Sequence, residues 1–170
     1  MNNNFNLIYM ISLLTRDYTI NTTKLNKLLF FCDLIYFLKN DITISEDNYL
    51  KLEYGPVARN AKYYRNFLVH NNLLKETIVD EEFYKQRFYK SPDNIYFENI
   101  ELKLETSKKG SINIIRSVLD NLISFAAWEL SDITHKYEPW KSASNKDVLN
   151  FELSKNDDGL KKWLHSVNLF

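Results

Sequence analysis

The sequence predicts an α+β fold, predominantly helical, with a central buried helix and a small antiparallel sheet or hairpin beside it. Three observations carry this. Thr22–Asn40 (TTKLNKLLFFCDLIYFLKN) contains no Gly or Pro and is apolar around most of its circumference. The middle third, from Leu73 to Leu104, shifts to β-branched and aromatic residues. From Ser111 onward the apolar residues return to helical spacing.

A chain of 170 residues is read most simply as one domain spanning 1–170, large enough to bury a substantial core. It is 45% apolar and 15% aromatic with 3 Gly and 3 Pro, the composition of a folded chain rather than a disordered one. Lys+Arg 22 balances Asp+Glu 22, so no overall field draws the protein to nucleic acid or to an anionic membrane. Either kind of binding would need a local patch. The single Cys32 excludes a disulfide framework and fits a reducing, cytoplasmic setting.

The elements follow in order. Phe5–Leu14 is almost continuously apolar, but it lacks a basic leader and a small-residue cleavage site, and Arg16-Asp17 follows at once. It reads as a short amphipathic helix. Neither it nor Leu28–Leu38, interrupted by Asp33, approaches the ~18 apolar residues of a membrane span. In the Thr22–Asn40 helix, Thr22 and Thr23 are the cap candidates. Wound at about 100° per residue, it places Asn26, Asp33 and Asn40 on one seam. That seam must face water or meet polar partners, from the Gly55-Pro56 corner or the His135 segment, because unpaired burial of Asp33 is too costly. Lys24 and Lys27 in the first turn, and Lys39 in the last, are placed to run along apolar surface and release their charges to water.

Asp41–Asp47 is a polar connection, and Tyr49–Tyr54 alternates as a short strand does. Gly55 can adopt backbone angles closed to other residues, and Pro56 suits the first turn of a helix. A helix is therefore expected from Pro56 to about Asn71, with Val57, Ala61, Tyr64, Phe67 and Leu68 inward and Arg59, Lys62 and Arg65 together on another face. Asn71-Asn72 would end it. Leu73–Val79, Phe83–Tyr89 and Ile95–Leu104 read as strands, with Ser91–Asn94 as a turn between the last two. Glu105–Gly110 punctuates the chain. Ser111–Asn121 reads as a helix capped by Ser111, and a second runs from near Ser124 to His135, presenting Trp128. Pro139 bars further helix. The last helix is Asp157–Val167, with its two Asp residues at the positive end.

Catalytic patterns are missing from the sequence. His70, His135 and His165 are far apart, no His-Glu-x-x-His or Cys-x-x-Cys spacing occurs, and 3 Gly build no phosphate-cradling loop. No cofactor or metal is expected. Cys32 would be a nucleophile only if exposed beside a base; a buried, inert thiol is the expectation. Glu81-Glu82 and Asp157-Asp158 read as solvated charges at element starts. The chain reads as a binding protein and not as an enzyme.

Three features are candidate contact points. Tyr54-Gly55-Pro56-Val57 shapes a corner between elements, and a ring at such a corner can also anchor a partner. His135 follows Asp132 by three residues, so a carboxylate can orient its imidazole, or the ring can bond to backbone at a helix end. Trp140 is either a lid on the core or, if exposed, a hot spot. A second reading has a different basis. Helix Pro56–Asn71 followed by the strand-like segments has the order of a winged-helix DNA-binding module, with Arg59, Lys62 and Arg65 facing phosphates and Lys85, Arg87 and Lys90 on the wing. The zero net charge, the 5 Arg in the chain and the lack of a concentrated basic stripe argue against nucleic acid.

Three motifs recur in order: Lys24-Leu25-Asn26-Lys27-Leu28-Leu29-Phe30-Phe31, then Tyr54-Gly55-Pro56-Val57, then Leu130-Ser131-Asp132-Ile133-Thr134-His135 with Pro139-Trp140. In this the chain resembles the Panacea family, also called the SocA-like domain or the phage-associated GepA type. The resemblance covers roughly Thr22–Ala143, and the strand-rich Phe83–Leu104 segment carries none of its motifs. It implies an antitoxin of a toxin–antitoxin system, with prophage association, that neutralises a cognate protein toxin by direct binding. The resemblance also implies that the toxins so paired can have unrelated folds, some acting on translation and some making or modifying nucleotides. One member type is an adaptor that delivers its toxin to a cytoplasmic AAA+ protease. Partner-binding residues would then be sought among Tyr54, Gly55, Pro56, Val57, Arg59, Lys62, Arg65, His135 and Trp140. Homo-oligomerisation is left open.

Overall fold

A computed structural model describes residues 5–82 and 84–170. Its organising element is α2 (Thr22–Asn40), whose residues from Leu25 to Phe37 are buried without a break. Each Leu or Phe removed from water there contributes roughly 1.5–3 kcal/mol, so this one helix supplies much of the drive to fold. Cys32 lies at its centre, fully enclosed. The helix is entered with no intervening loop from a two-residue strand, β1 (Ile20–Asn21). Asn21 is the cap in place of Thr22 or Thr23: its side chain accepts from the Lys24 N–H at 2.8 Å. At the far end Asp41, at φ 62°, donates its N–H to the Phe37 carbonyl and closes the helix.

Around α2 pack α1 (Phe5–Leu14), with Leu7, Met10, Ile11 and Leu14 buried, and the later helices α5 (Ser111–Leu122) and α6 (Ala127–His135). A one-turn helix α7 (Glu138–Lys141), which holds Pro139 in its first turn where no N–H is needed instead of being barred by it, a 3-10 helix at Phe151–Asn156 and α8 (Asp158–Ser166) close the remaining side. Phe151 and Trp163 carry that closure, with ring centroids 5.5 Å from Phe30 and 5.1 Å from Phe31. Asp157 caps α8 by accepting from the Leu160 N–H at 2.9 Å, and Asp158 opens its first turn.

The sheet content is small and antiparallel. β4 (Lys75–Asp80) pairs with β5 (Lys85–Lys90), and β5 pairs on its other side with β1, giving the order β1-β5-β4. Of the expected Phe83–Tyr89 strand, Phe83 lies outside the described residues. Glu81 and Glu82 sit in the connection between the two strands and not at the start of an element. The expected third strand at Ile95–Leu104 is instead α4 (Phe97–Ser107). Phe97, Ile100 and Leu104 recur at helical spacing and face the core, while Leu102, which an alternating strand would put beside Leu104, is 67% exposed. The place that strand would have taken beside β5 belongs to β1.

A second correction concerns the Gly55-Pro56 corner. Tyr49–Leu52 (β2) and Gly55–Ala58 (β3) form a hairpin turning at Glu53-Tyr54, with Lys51 opposite Pro56, and Gly55 at φ +102° makes the turn possible. Pro56 is tolerated because β3 is an edge strand. The following helix, α3 (Ala61–His70), starts five residues later than expected and ends at Asn71-Asn72 as predicted. Val57 is therefore a half-buried strand residue, and Phe67 is exposed. The outer edge of β2 is covered by the chain near Asp147: the Lys51 N–H donates to the Asp147 carbonyl at 2.9 Å.

Ser111 opens α5 but does not cap it. Glu105 takes that role, its carboxylate accepting from the Gly110 N–H at 2.6 Å and the Ile112 N–H at 3.3 Å. No helix among the described residues is long and apolar enough to cross a membrane.

Candidate functional site

The first turns of α2 aim Lys27 inward, toward the β2–β3 hairpin. Its side chain is 1% exposed, and Nζ donates to the Pro56 carbonyl at 3.2 Å. This corrects the expectation that it releases its charge to water. With one acceptor and no carboxylate partner, its burial pushes the pKa down to about 7. Lys24 does reach the surface region, donating to the Ile123 carbonyl at 2.8 Å.

Helix α6 brings its own polar residues to the same place. Ser131 Oγ lies 2.9 Å from the Tyr54 carbonyl and 3.1 Å from that of Ala127, so one hydroxyl fastens the helix to the hairpin turn. Thr134 donates back to the Ser131 carbonyl at 2.7 Å. His135 stacks on Trp140 at 4.2 Å with 19° between the planes, and its Nε2 is buried with no hydrogen-bond partner. Burial, then the nearby charge of Lys27, hold its pKa below the usual imidazole value, with Asp132 opposing them. No hydrogen bond joins Asp132 to His135; stacking orients the ring. Trp140 is half-buried, and Lys51 Nζ lies 4.9 Å above its ring while donating to the Trp140 and Ala143 carbonyls at 2.8 and 2.9 Å.

Above this hub runs a groove of about 950 Å³. Its floor and ends come from the start of α2, the outer edge of β5 and the first turns of α6. Tyr54 (68% exposed), Tyr84 (58%) and Trp128 (65%) stand around it, three large rings left in water at one depression.

Of the residues singled out from sequence, Tyr54, Gly55, Pro56, His135 and Trp140 come together, with Val57 beside them in β3. Arg59 and Lys62 are exposed and line no part of the groove. Arg65 does not share a face with them: it is 5% exposed, donates from Nη1 to Asn26 Oδ1 at 3.0 Å, and lies 5.5 Å from the Tyr89 ring centre. The partners of the α2 seam also differ from those expected. Asn26 meets Arg65, and the enclosed Asp33 accepts from the Ser45 N–H at 2.8 Å, the Ser45 hydroxyl and the Tyr49 hydroxyl at 2.8 Å. Burial still pushes its carboxyl up to about 6. Only Asn40 faces water.

Trp128 and Tyr84 were not among the residues chosen from sequence. Trp128 falls between Ala127 and Glu129 in the first turn of α6, out of line with Leu130, Ile133 and Thr134, and that phase was its available signal. Tyr84 gave none, since it sits just before β5 among other aromatic residues with nothing local to tell which ring faces water. No group of three or more His, Cys, Asp or Glu among the described residues is placed to hold a metal ion.

A family model described as antitoxin SocA-like, Panacea domain, matches residues 25–141. That span takes in α2 from Leu25, the hairpin, β4 and β5 of the sheet without β1, and α6 and α7. No curated protein and no solved structure matches the chain.

Proposed function

Because the chain belongs to the SocA-like antitoxin family with the Panacea domain, we propose that it neutralises a co-encoded protein toxin by direct contact at the groove of Tyr54, Tyr84 and Trp128. The observation that carries this is the exposure of those three rings around one depression. The motif residues Lys27, Gly55 and His135 build the polar layer beneath it. Trp and Tyr expose much apolar area with few rotatable bonds, the combination that dominates binding hot spots. The chain acts as a binding protein and not as an enzyme, in the cytoplasm where the toxin is made. Cys32, its one thiol, is enclosed with its pKa raised by burial, so it offers no nucleophile.

Co-expression with the neighbouring open reading frame tests the reading. The product is expected to arrest growth alone, to be harmless beside this chain, and to co-purify with it. A harmless product, or one that stays toxic and does not co-purify, refutes it. Delivery of the toxin to an AAA+ protease is a further route, seen as toxin loss that depends on both antitoxin and protease.

The α3–β4–β5 succession does have the helix-then-hairpin order of a winged helix. Its cations form no concentrated basic stripe: Arg65 is in the interior, Lys90 donates to the Arg16 carbonyl at 2.6 Å, Arg87 pairs with Glu76 at 2.8 Å, and Arg59, Lys62 and Lys85 are left as exposed charges. DNA titrations at two salt concentrations should therefore show no binding that strengthens at low salt.

A further inference from the structure

The groove has an unused stretch of sheet edge along one side. β1 pairs with β5 only at Ile20↔Tyr89 and Asn21↔Phe88, because the chain turns into α2 at Thr22. The remainder of β5, Lys85 to Arg87, borders the groove with no strand beside it.

Two hydrogen bonds show which backbone groups point there. The Glu81 N–H donates to the Tyr84 carbonyl at 2.9 Å, so Tyr84, and with it Gln86 and Phe88, bonds toward β4. The Thr22 hydroxyl donates to the Arg87 carbonyl at 3.3 Å from the opposite side, so Lys85, Arg87 and Tyr89 bond toward β1 and the groove. Tyr89 is satisfied by β1. Among the described residues nothing meets the N–H and carbonyl of Lys85 or the N–H of Arg87. These three groups are spaced as the next rungs of a ladder, in line with β1.

The surroundings specify what would lie there. Lys24, Lys85 and Arg87 line the groove against one carboxylate, Asp132. The ion pair of Lys85 is with the exposed Asp80, so it exchanges at little cost, while Arg87 is held at 2.8 Å by the mostly buried Glu76 and adds positive charge to the rim without leaving that partner. The positive end of the 19-residue α2 also opens onto the same space. Trp128 and Tyr54 offer apolar faces across from the edge.

We propose that this groove takes an extended, acidic segment of the toxin, which adds to the Lys85–Arg87 edge as a further strand collinear with β1. The toxin as its source rests on the antitoxin reading; the edge as the receptor does not. Recognition through backbone is tolerant of side-chain sequence, because alternate residues alone meet pockets while main-chain groups supply the bonds.

Lys85→Pro is the discriminating variant. It removes one N–H that faces the groove and that the β4–β5 ladder does not use, at the first residue of β5, a position where a strand accepts proline. Lys85→Ala removes the side chain and keeps the N–H. Two probes are used: the product of the neighbouring reading frame, and linear 12-residue peptides selected by display on the wild-type full chain. Lys85→Pro should keep the wild-type circular dichroism spectrum and a cooperative melt, yet bind either probe at least 100-fold more weakly. Lys85→Ala should bind within about tenfold of wild type. On the 15N-labelled wild-type chain, either probe should slow amide exchange at Lys85 and Arg87. Equal binding by folded Lys85→Pro, unchanged exchange at these two amides, or failure to select any peptide that depends on the edge overturns the proposal. If the neighbouring product does not bind while edge-dependent acidic peptides do, the antitoxin reading fails and the edge site stands.

Discussion

The Lys27 side chain fills the space that a side chain at Gly55 would need: a Cβ built there stands 2.5 Å from Lys27 Cε and 2.6 Å from Nζ. The lysine end is flexible in principle, but it is enclosed and holds the Pro56 carbonyl, so moving it breaks that bond. Glycine is thus required twice, for φ of +102° and for room. Gly55→Ala should lose about 1–3 kcal/mol in urea denaturation. Combining it with Lys27→Ala relieves the clash but not the backbone strain, so the double variant should be less destabilised than the sum of the singles. Strict additivity would show that the two residues do not compete for space.

Lys27 also sets a pH dependence. Its pKa of about 7 in the fold against 10.5 free means that, between these values, the unfolded chain binds more protons than the native one. Its contribution to stability is full above pH 10.5 and falls as pH drops toward 7. Wild-type stability attributable to this group should be higher at pH 9.5 than at 7.5 by on the order of 2–3 kcal/mol. Lys27→Met should remove that difference in denaturant titrations, and should be neutral or stabilising at pH 7.

Asp33 titrates in the opposite sense. Held at about 6 against 3.8 free, it makes the native state bind more protons between these values, so its contribution falls as pH rises from about 3.8 to 6. The gap between wild type and Asp33→Asn, read by urea titration at pH 4 and 7, should move against wild type at the higher pH. Tyr49→Phe removes one of its three donors and should cost about 1–2 kcal/mol.

Arg65 and Trp128 should separate stability from binding. Arg65→Ala leaves Asn26 unpaired in the interior and should cost about 2–3 kcal/mol, visible as a lower Tm. Trp128→Ala removes a mostly exposed ring, so the Tm should hardly move while toxin binding weakens at least tenfold. If Trp128→Ala lowers the Tm as much as Arg65→Ala does, its ring belongs to the core.

How far the sequence reaches is plain from particular residues. The span of α2 was readable because nineteen positions carry no Gly or Pro, but its cap was not: Asn21, Thr22 and Thr23 all suit that position, and only the Asn21 side chain reaches the Lys24 N–H. The helix at Phe97–Ser107 was not: its residues satisfy both periods, and only β1's place beside β5 decides against a strand. Gly55-Pro56 fits a helix start as well as a hairpin edge, and the pairing with β2 decides. Arg65 was placed outside by its charge, although Ala61, Tyr64 and Leu68 put its helix face inward. The family motifs located the hub, but the groove above it depends on where β1 ends and is written in no local pattern.

The enclosure of Cys32 gives the molecule a clock. With its sulfur shut inside α2 and its pKa raised, the thiol reacts with a maleimide or disulfide reagent only when the fold opens. The labelling rate of the unmodified chain therefore reports the frequency of opening. A bound toxin that stabilises the native state slows that clock in proportion to its own affinity, so occupancy can be timed on a single sulfur with no probe placed at the contact.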